Sequence, residues 1–176
     1  KHNGTFLAEH EEVVVSSNSF TYEDFLEVRH LNFMFYAVFI LNFHKWFFQF
    51  VRHLGVYPSK FFSHLFKPDR NANWPKRYIS FLDDLKYAIQ DELHDTREEM
   101  VNSAKKKFIE NNNDVGESTR ININFGGRIN YLEGDWVKAV LLRHLDEITN
   151  MGLTNSDRNL ASKLIDLNEL ERVDLK

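Results

Sequence analysis

A carboxylate and a histidine three residues apart are the first side chains in this 176-residue sequence that suggest metal chemistry. Asp91 and His94 follow the Asp/Glu-x-x-His pattern, which places two ligands on one helix face in carboxylate-bridged metal bundles. Such sites need a second copy of the pair and further inward carboxylates, and we find neither in the sequence. We therefore interpret Asp91 and His94 as part of a solvated acidic face, and a small carboxylate–histidine metal protein as a minor hypothesis.

Five polar residues lie in or near an unusually aromatic stretch and are candidates to face a substrate or another domain. They are Arg29, His30, Asn32, Asn42 and His44. Each of them that is buried needs a hydrogen-bond partner, from the same chain or from a neighbouring domain's ligand. The alternative interpretation is structural, with His44 as a buried ring satisfied by one hydrogen bond. The intervals from His44 to His53 and on to His64 match no ligand spacing.

Several kinds of chemistry are excluded by composition. Without cysteine, the chain has no disulfide, no thiolate metal site, no cysteine-ligated iron–sulfur cluster and no cysteine nucleophile. A net charge of −4 gives no electrostatic case for nucleic acid. No secretion signal is seen at the start, which favours a cytoplasmic location. Gly126-Gly127 lacks the frame of a phosphate loop and is interpreted as a turn.

The element that must position these residues is a helix predicted from Thr21 to Gly55. Thr21 and Asp24 form a capping-box pair, and Gly55 provides a left-handed stop after two basic residues. Residues 33–41 are apolar at every position, so we expect other elements to enclose this segment. Lipid is the competing enclosure, but the polar residues within the window, Lys45 above all, argue against a membrane span.

The predicted fold class is mainly α, a helical bundle around this long aromatic-rich central helix. Residues 1–20 are expected to form an arm and a strand (12–16), and residues 21–176 a helical domain. The strand either pairs with a hairpin later in the chain or is the remnant of a preceding domain. A long amphipathic helix is predicted over 75–111. Alternation at period two and the Gly-Gly pair predict a small β-hairpin near 119–132. Two further helices follow, one after Asp135 and one from Asn155 or Ser156.

The stretch EEVVVSSNSFTYEDFLEVRHLNFMFYAVFI resembles the region just after the catalytic barrel in cobalamin-binding-type radical SAM proteins. In that family, a strand ending in a Thr/Ser-Asn-Ser/Thr turn leads into a helix that opens Ser/Thr-aromatic-Glu-Asp-aromatic. The matching positions are residues 13–18, residues 21–25 and Arg29, and the resemblance covers about residues 9–50. These are patterns of capping and packing rather than of chemistry.

The resemblance implies an intact protein with an upstream three-cysteine iron–sulfur site that uses S-adenosylmethionine, often behind a cobalamin-binding domain. This chain would hold none of these cofactors, and no catalytic residue carries over. It would be a non-catalytic C-terminal accessory domain that shapes substrate access or domain packing, with the preceding catalytic domain as partner. Without that domain, the exposed edge of the strand at 12–16 is expected to pair two copies of the fragment into a homodimer. The alternative is a stand-alone helical protein-interaction module.

Overall fold

The computed structural model describes residues 11–110, 121–132, 136–149 and 152–173, and this part of the chain is almost wholly helical. Two π-helical turns, Tyr36–Ile40 and Arg128–Leu132, each extend an α-helix. The mainly α class is therefore confirmed. The α-helices in the described residues are α1 (Tyr22–Phe35), α2 (Lys45–His53), α3 (Pro58–Phe66), α4 (Lys76–Asp91), α5 (Arg97–Glu110), α6 (Ile121–Gly127), α7 (Val137–Ile148) and α8 (Asn155–Val173).

The start of α1 is the predicted capping box. The Thr21 hydroxyl accepts a hydrogen bond from the Asp24 backbone N–H at 3.1 Å, and the Asp24 carboxylate accepts one from the Thr21 backbone N–H at 2.8 Å. These bonds satisfy donors that have no partner within the helix. The hydrogen bonds from Thr21 lower the pKa of Asp24, because they favour its charged form.

The prediction of one unbroken central helix to Gly55 is wrong. After the π turn, Asn42 (φ 55°) and His44 (φ 44°) adopt left-handed backbone conformations, and α2 begins as a separate helix. A straight helix would have aromatic side chains on every side, and a chain of this size has few other elements to cover them. The break redirects the backbone so that α2 packs against α3 and α8. Phe43, at the break itself, is buried.

The predicted end of this segment is confirmed. Gly55 has φ +80°, the left-handed conformation that glycine adopts without strain. The Val56 backbone N–H donates to the Val51 carbonyl at 3.2 Å, which closes the end of α2. Arg52 and His53 lie in its last turn, where positive charge suits the free carbonyl groups.

The N-terminal strand predicted at residues 12–16 is not present, since the described residues 11–16 have no regular structure. An isolated bridge between Ser17 and Phe20 closes a tight turn just before α1. A lone β-branched run has no partner for its backbone groups. The strand was expected to pair with a preceding domain or with the hairpin, and the hairpin does not form in the described residues.

Residues 121–132, where the hairpin near 119–132 was predicted, form α6 and the second π turn instead; residues 119–120 lie outside the described part. Ile121, Phe125 and Ile129 are spaced by four and share one buried helix face. The Gly-Gly pair is not a turn. A Cβ on Gly126 would lie 2.4 Å from Leu41 Cδ1, so glycine permits a close approach between α6 and the first π turn.

The predicted helix 75–111 is two helices. The buried stripe of α4 (Tyr78, Leu82, Leu85, Ile89) agrees with the prediction. The chain then breaks, and the Thr96 hydroxyl accepts from the Glu99 backbone N–H at 3.2 Å to start α5. No residue of α5 is buried, so this helix lies at the edge of the fold.

Aromatic rings fill the core between α2, α3, α4 and α7. Phe48 meets Phe61 and Phe62 edge to face, with centroids 5.6 Å and 5.1 Å apart, an arrangement that ring quadrupoles favour. Phe47 and Phe61 pack in the same way at 5.7 Å. Among the described residues, no helix is long and apolar enough to cross a membrane.

Candidate functional site

Two of the five predicted residues, Arg29 and His30, lie side by side on α1. The Arg29 guanidinium donates to the Glu92 carboxylate at 2.5 Å, which ties α1 to the end of α4. The His30 ring stacks on Phe66 of α3, with centroids 4.6 Å apart. Its buried Nε2 has no hydrogen-bond partner among the described residues. Burial, with a smaller contribution from Lys86, lowers the pKa of His30 to about 4.

His30 lines a shallow cleft of about 140 Å³ between α1, α3 and α4. The cleft holds several charges, and they pair with one another. Lys67 contacts Glu27 at 2.6 Å, and Lys86 lies 4.0 Å from Glu23. Cations that are already neutralised offer little to an added anion, so the cleft is weak support for a substrate site.

The other three predicted residues lie further along the chain. Asn32 is exposed on α1. Asn42 is exposed at the break, and His44 is fully buried as the residue that precedes α2. His44 contacts the Phe43 ring edge to face at 4.6 Å, and its carbonyl accepts from the Phe48 backbone N–H. The five residues are thus divided between the α1 surface and the α1–α2 break.

A cluster that the sequence did not reveal joins α3 to α7. His64 Nδ1 lies 2.7 Å from Nδ1 of His144, which is fully buried. His144 Nε2 lies 2.8 Å from the Tyr78 hydroxyl oxygen, and this hydroxyl donates to the Leu65 carbonyl. Because the only proton of Tyr78 is directed at Leu65, His144 must donate its Nε2–H to Tyr78. The remaining nitrogen of His144, Nδ1, therefore presents a lone pair to His64.

Neighbouring groups fix the orientation of the His144 ring. Trp74 stacks on it, with centroids 4.5 Å apart and an interplanar angle of 18°. Burial, with additional effects of His64 and Arg143, lowers the pKa of His144 to about 3. His144 is therefore a neutral imidazole at physiological pH, with both its tautomer and its ring plane set by contacts.

A carboxylate completes the cluster. Glu147 Oε2 lies 3.8 Å from His144 Nδ1 and 4.0 Å from His64 Nε2. The other oxygen, Oε1, accepts from Arg143 Nε at 3.0 Å. Arg143 is held in turn by the Asn73 carbonyl at 2.9 Å and lies over the Trp74 ring at 3.7 Å. The Glu147 side chain is 38% exposed, so one side of the cluster meets solvent.

One sequence pattern could have predicted part of this cluster. His144 and Glu147 are three residues apart on a predicted helix, the same spacing as Asp91 and His94 in reverse order. Asp91 itself pairs with Lys107 at 2.6 Å, as expected of a solvated charged face. His64 is 80 residues from His144, and no local pattern connects them.

A second feature is an exposed apolar face on α1, formed by Val28, Phe35 and Phe39 and called here the α1 face. Their exposed fractions are 55%, 44% and 61%. Phe35 and Phe39 stack on each other at 5.5 Å, and Val28 lies two helical turns before Phe35. The prediction that residues 33–41 are enclosed on all sides is therefore wrong. Phe33, Met34, Ala37 and Val38 are buried, whereas Phe35, Phe39 and Ile40 are not.

No family model, curated protein or solved structure matches the chain.

Proposed function

We propose that this chain is a helical accessory domain of a radical SAM enzyme and that it docks on the catalytic domain through the α1 face. The observation that carries the proposal is this face. Its aromatic pair is exposed, although the same chain buries many other phenylalanines. Exposed clusters of large apolar side chains often mark interaction sites in soluble proteins.

The occupant we favour is a catalytic domain that precedes this chain in the same polypeptide. The α1 face lies within residues 9–50, the stretch that resembles the region after a radical SAM barrel. Val13 and Val14, in the arm before α1, are also exposed. A domain joined to this arm would be held close to the α1 face at high effective concentration, so a modest apolar contact would suffice for docking.

The residue types in this chain indicate which domain would hold each cofactor. The chain has no cysteine, so the iron–sulfur cluster and S-adenosylmethionine would belong to the catalytic domain, with cobalamin in a further domain. The role proposed for this domain is to cover part of the catalytic domain and to shape substrate access. Asn32, exposed on α1, and Arg29, whose pair with Glu92 lies near the surface, are the polar groups next to the contact.

The coding sequence upstream of Lys1 gives the first test. A continuous reading frame with a barrel and a three-cysteine motif is the expected result. A stop codon followed by a nearby start codon would contradict the proposal and leave the stand-alone interaction module.

Hydroxyl-radical footprinting gives the second test. At a concentration low enough to keep the isolated chain monomeric, Phe35 and Phe39 should be modified more slowly in the intact protein than in the isolated chain, because docking removes them from solvent. Tyr87, on α4 and 70% exposed, serves as the control and should react equally in both. Equal labelling of Phe39 in the two proteins would exclude docking through the α1 face.

A further inference from the structure

We infer that His64, His144 and Glu147 form a binding site for a divalent transition-metal ion, with zinc as the best match, that fastens α3 to α7. This site is independent of the docking proposed above. One ligand atom from each residue can be chosen so that all three lie within 4.8 Å of one another. Two imidazole nitrogens and a carboxylate oxygen are the ligand set of known three-ligand zinc sites and suit zinc, iron, cobalt and nickel.

Two distances between candidate ligand atoms are close to those around a single ion, and both involve His144 Nδ1. Ligand atoms at 2.0–2.2 Å from one tetrahedral ion lie about 3.3 Å apart, and in wider geometries up to about 4.2 Å. The Nδ1–Nδ1 distance of 2.7 Å and the Oε2–Nδ1 distance of 3.8 Å fall on either side of the tetrahedral value. His64 needs to move outward by only about 0.6 Å to reach the tetrahedral separation, and its side chain is 37% exposed.

The candidate ligands have neighbours of the kind that orient metal ligands in known sites. Histidines that bind metals donate their second ring N–H to an oxygen, which directs the other nitrogen at the ion. His144 does this through Tyr78, whose own proton is given to the Leu65 carbonyl. Tyr78 is therefore a positioning residue in this site.

The carboxylate is oriented in the same way. Arg143 binds Oε1 of Glu147, and Oε2 is left facing the two histidines. The separations of 3.8 Å and 4.0 Å are too long for hydrogen bonds between Glu147 and either ring. An ion bound by Oε2, His144 Nδ1 and one ring nitrogen of His64 would join all three side chains, and water from the exposed side would complete its coordination.

The competing explanation is a proton in place of the ion, so that His64 Nδ1–H simply donates to His144. That hydrogen bond accounts for the two rings, and Arg143 accounts for Oε1 of Glu147, but neither explains why Oε2 faces both histidines. The two explanations predict different behaviour with added metal, so titration with Zn²⁺ and Co²⁺ alone distinguishes them.

The experiment is calorimetric titration of the full chain, prepared with chelator and then freed of it, with Zn²⁺. We expect one ion per chain and a higher unfolding temperature with Zn²⁺, because an ion that binds only the folded state stabilises it. Co²⁺ should give d–d absorption bands of a four- or five-coordinate site. Absence of a stoichiometric binding event would overturn the inference.

The variants His64→Ala and Glu147→Gln change groups at the exposed side, and so spare the buried ring of His144. Each should weaken Zn²⁺ binding at least about tenfold. The matched controls are Asp91→Asn and His94→Ala, which alter the other carboxylate–histidine pair and should bind as the unchanged chain does. Equal loss in the controls, or none in His64→Ala and Glu147→Gln, would place the ion elsewhere and refute the site.

Tyr78→Phe tests the positioning role. It removes the oxygen that accepts from His144 and leaves all three ligands in place. We expect roughly tenfold to hundredfold weaker Zn²⁺ affinity and a shifted Co²⁺ spectrum. A merely structural role would lower the unfolding temperature without changing the Co²⁺ spectrum, and that result would remove Tyr78 from the site.

Discussion

At the scale of single residues, His30 makes stability depend on pH. Its ring is packed on Phe66, and burial lowers its pKa from 6.5 to about 4. Above pH 6.5 the ring is neutral in both the folded and the unfolded chain. Between pH 6.5 and 4 the unfolded chain takes up a proton that the folded chain does not. The folded state therefore loses stability as the pH falls through this window, by an amount on the order of 3 kcal/mol.

The variant His30→Phe keeps a ring against Phe66 and removes the titration. We expect the free energy of unfolding, measured by urea denaturation, to fall less between pH 6.5 and 4.5 in this variant than in the unchanged chain. An unchanged slope in His30→Phe would mean that this ring is hydrated in solution.

At the scale of elements, the side of the helix on which each phenylalanine of residues 33–41 lies decides whether it belongs to the core. Phe33 is 1% exposed and contacts Phe66 and Phe81, whereas Phe39 is 61% exposed and stacks only on Phe35 among the ring contacts described. We expect Phe33→Ala to lower the free energy of unfolding by about 3–5 kcal/mol. Phe39→Ala should change it by about 0.5 kcal/mol or less.

Urea denaturation of the two variants measures this difference directly. The comparison is internal, since both changes delete the same side chain six residues apart. A loss for Phe39→Ala as large as that for Phe33→Ala would mean that this segment is enclosed in solution, as its uninterrupted apolar sequence suggested.

The second element-scale prediction concerns Gly126 and Gly127. Both lie in a helix, and neither has a positive φ. A Cβ on Gly127 meets nothing within 4 Å, so Gly127→Ala should stabilise the chain by about 0.5–1 kcal/mol through helix propensity. Gly126→Ala gains the same helix propensity, but its added Cβ would lie 2.4 Å from Leu41 Cδ1, so the Leu41 side chain must move.

Thermal unfolding should therefore rank Gly127→Ala as the more stable of the two variants. In a hairpin with a Gly-Gly turn, alanine would be strained at both positions, because such turns need positive φ. Destabilisation by Gly127→Ala would support the hairpin over the helix.

Local signals explain what the sequence could predict. The capping box at Thr21 and the left-handed stop at Gly55 act within a few residues, so their effect can be read without knowing the fold. The hairpin prediction failed because one sequence carries two periods. Ile121, Ile123 and Phe125 alternate, while Ile121, Phe125 and Ile129 repeat every four. Only tertiary packing selects between the two patterns.

The histidine cluster could not be predicted from local sequence patterns either, because tertiary packing brings its members together. His144 and Glu147 are readable as a helical pair, but His64 comes from α3 and Tyr78 from α4. Their convergence depends on how α3, α4 and α7 pack around Tyr78, whose hydroxyl contacts both Leu65 and His144. The five predicted candidates were chosen for being polar in an apolar stretch, a criterion that does not detect residues brought together by packing.

At the scale of the whole molecule, the α1 face predicts self-association of the chain when no catalytic domain is attached. Two copies can bury Val28, Phe35 and Phe39 against each other in one two-fold contact, in which the same face is used by both chains. The arm was expected to drive pairing through a strand edge, but its described residues form no strand. The α1 face is therefore the surface through which we expect two copies to associate.

Sedimentation velocity at high micromolar concentration measures this prediction. The unchanged chain and a version that starts at Ser19 should both be dimeric, because both keep the α1 face. Phe39→Lys should be monomeric, since a charge in the centre of the contact would be buried without a partner. Tyr87→Lys, at an exposed site on α4, is the matched control and should remain dimeric. If removal of residues 1–18 abolishes the dimer while Phe39→Lys preserves it, the arm is the interface and the α1 face is not.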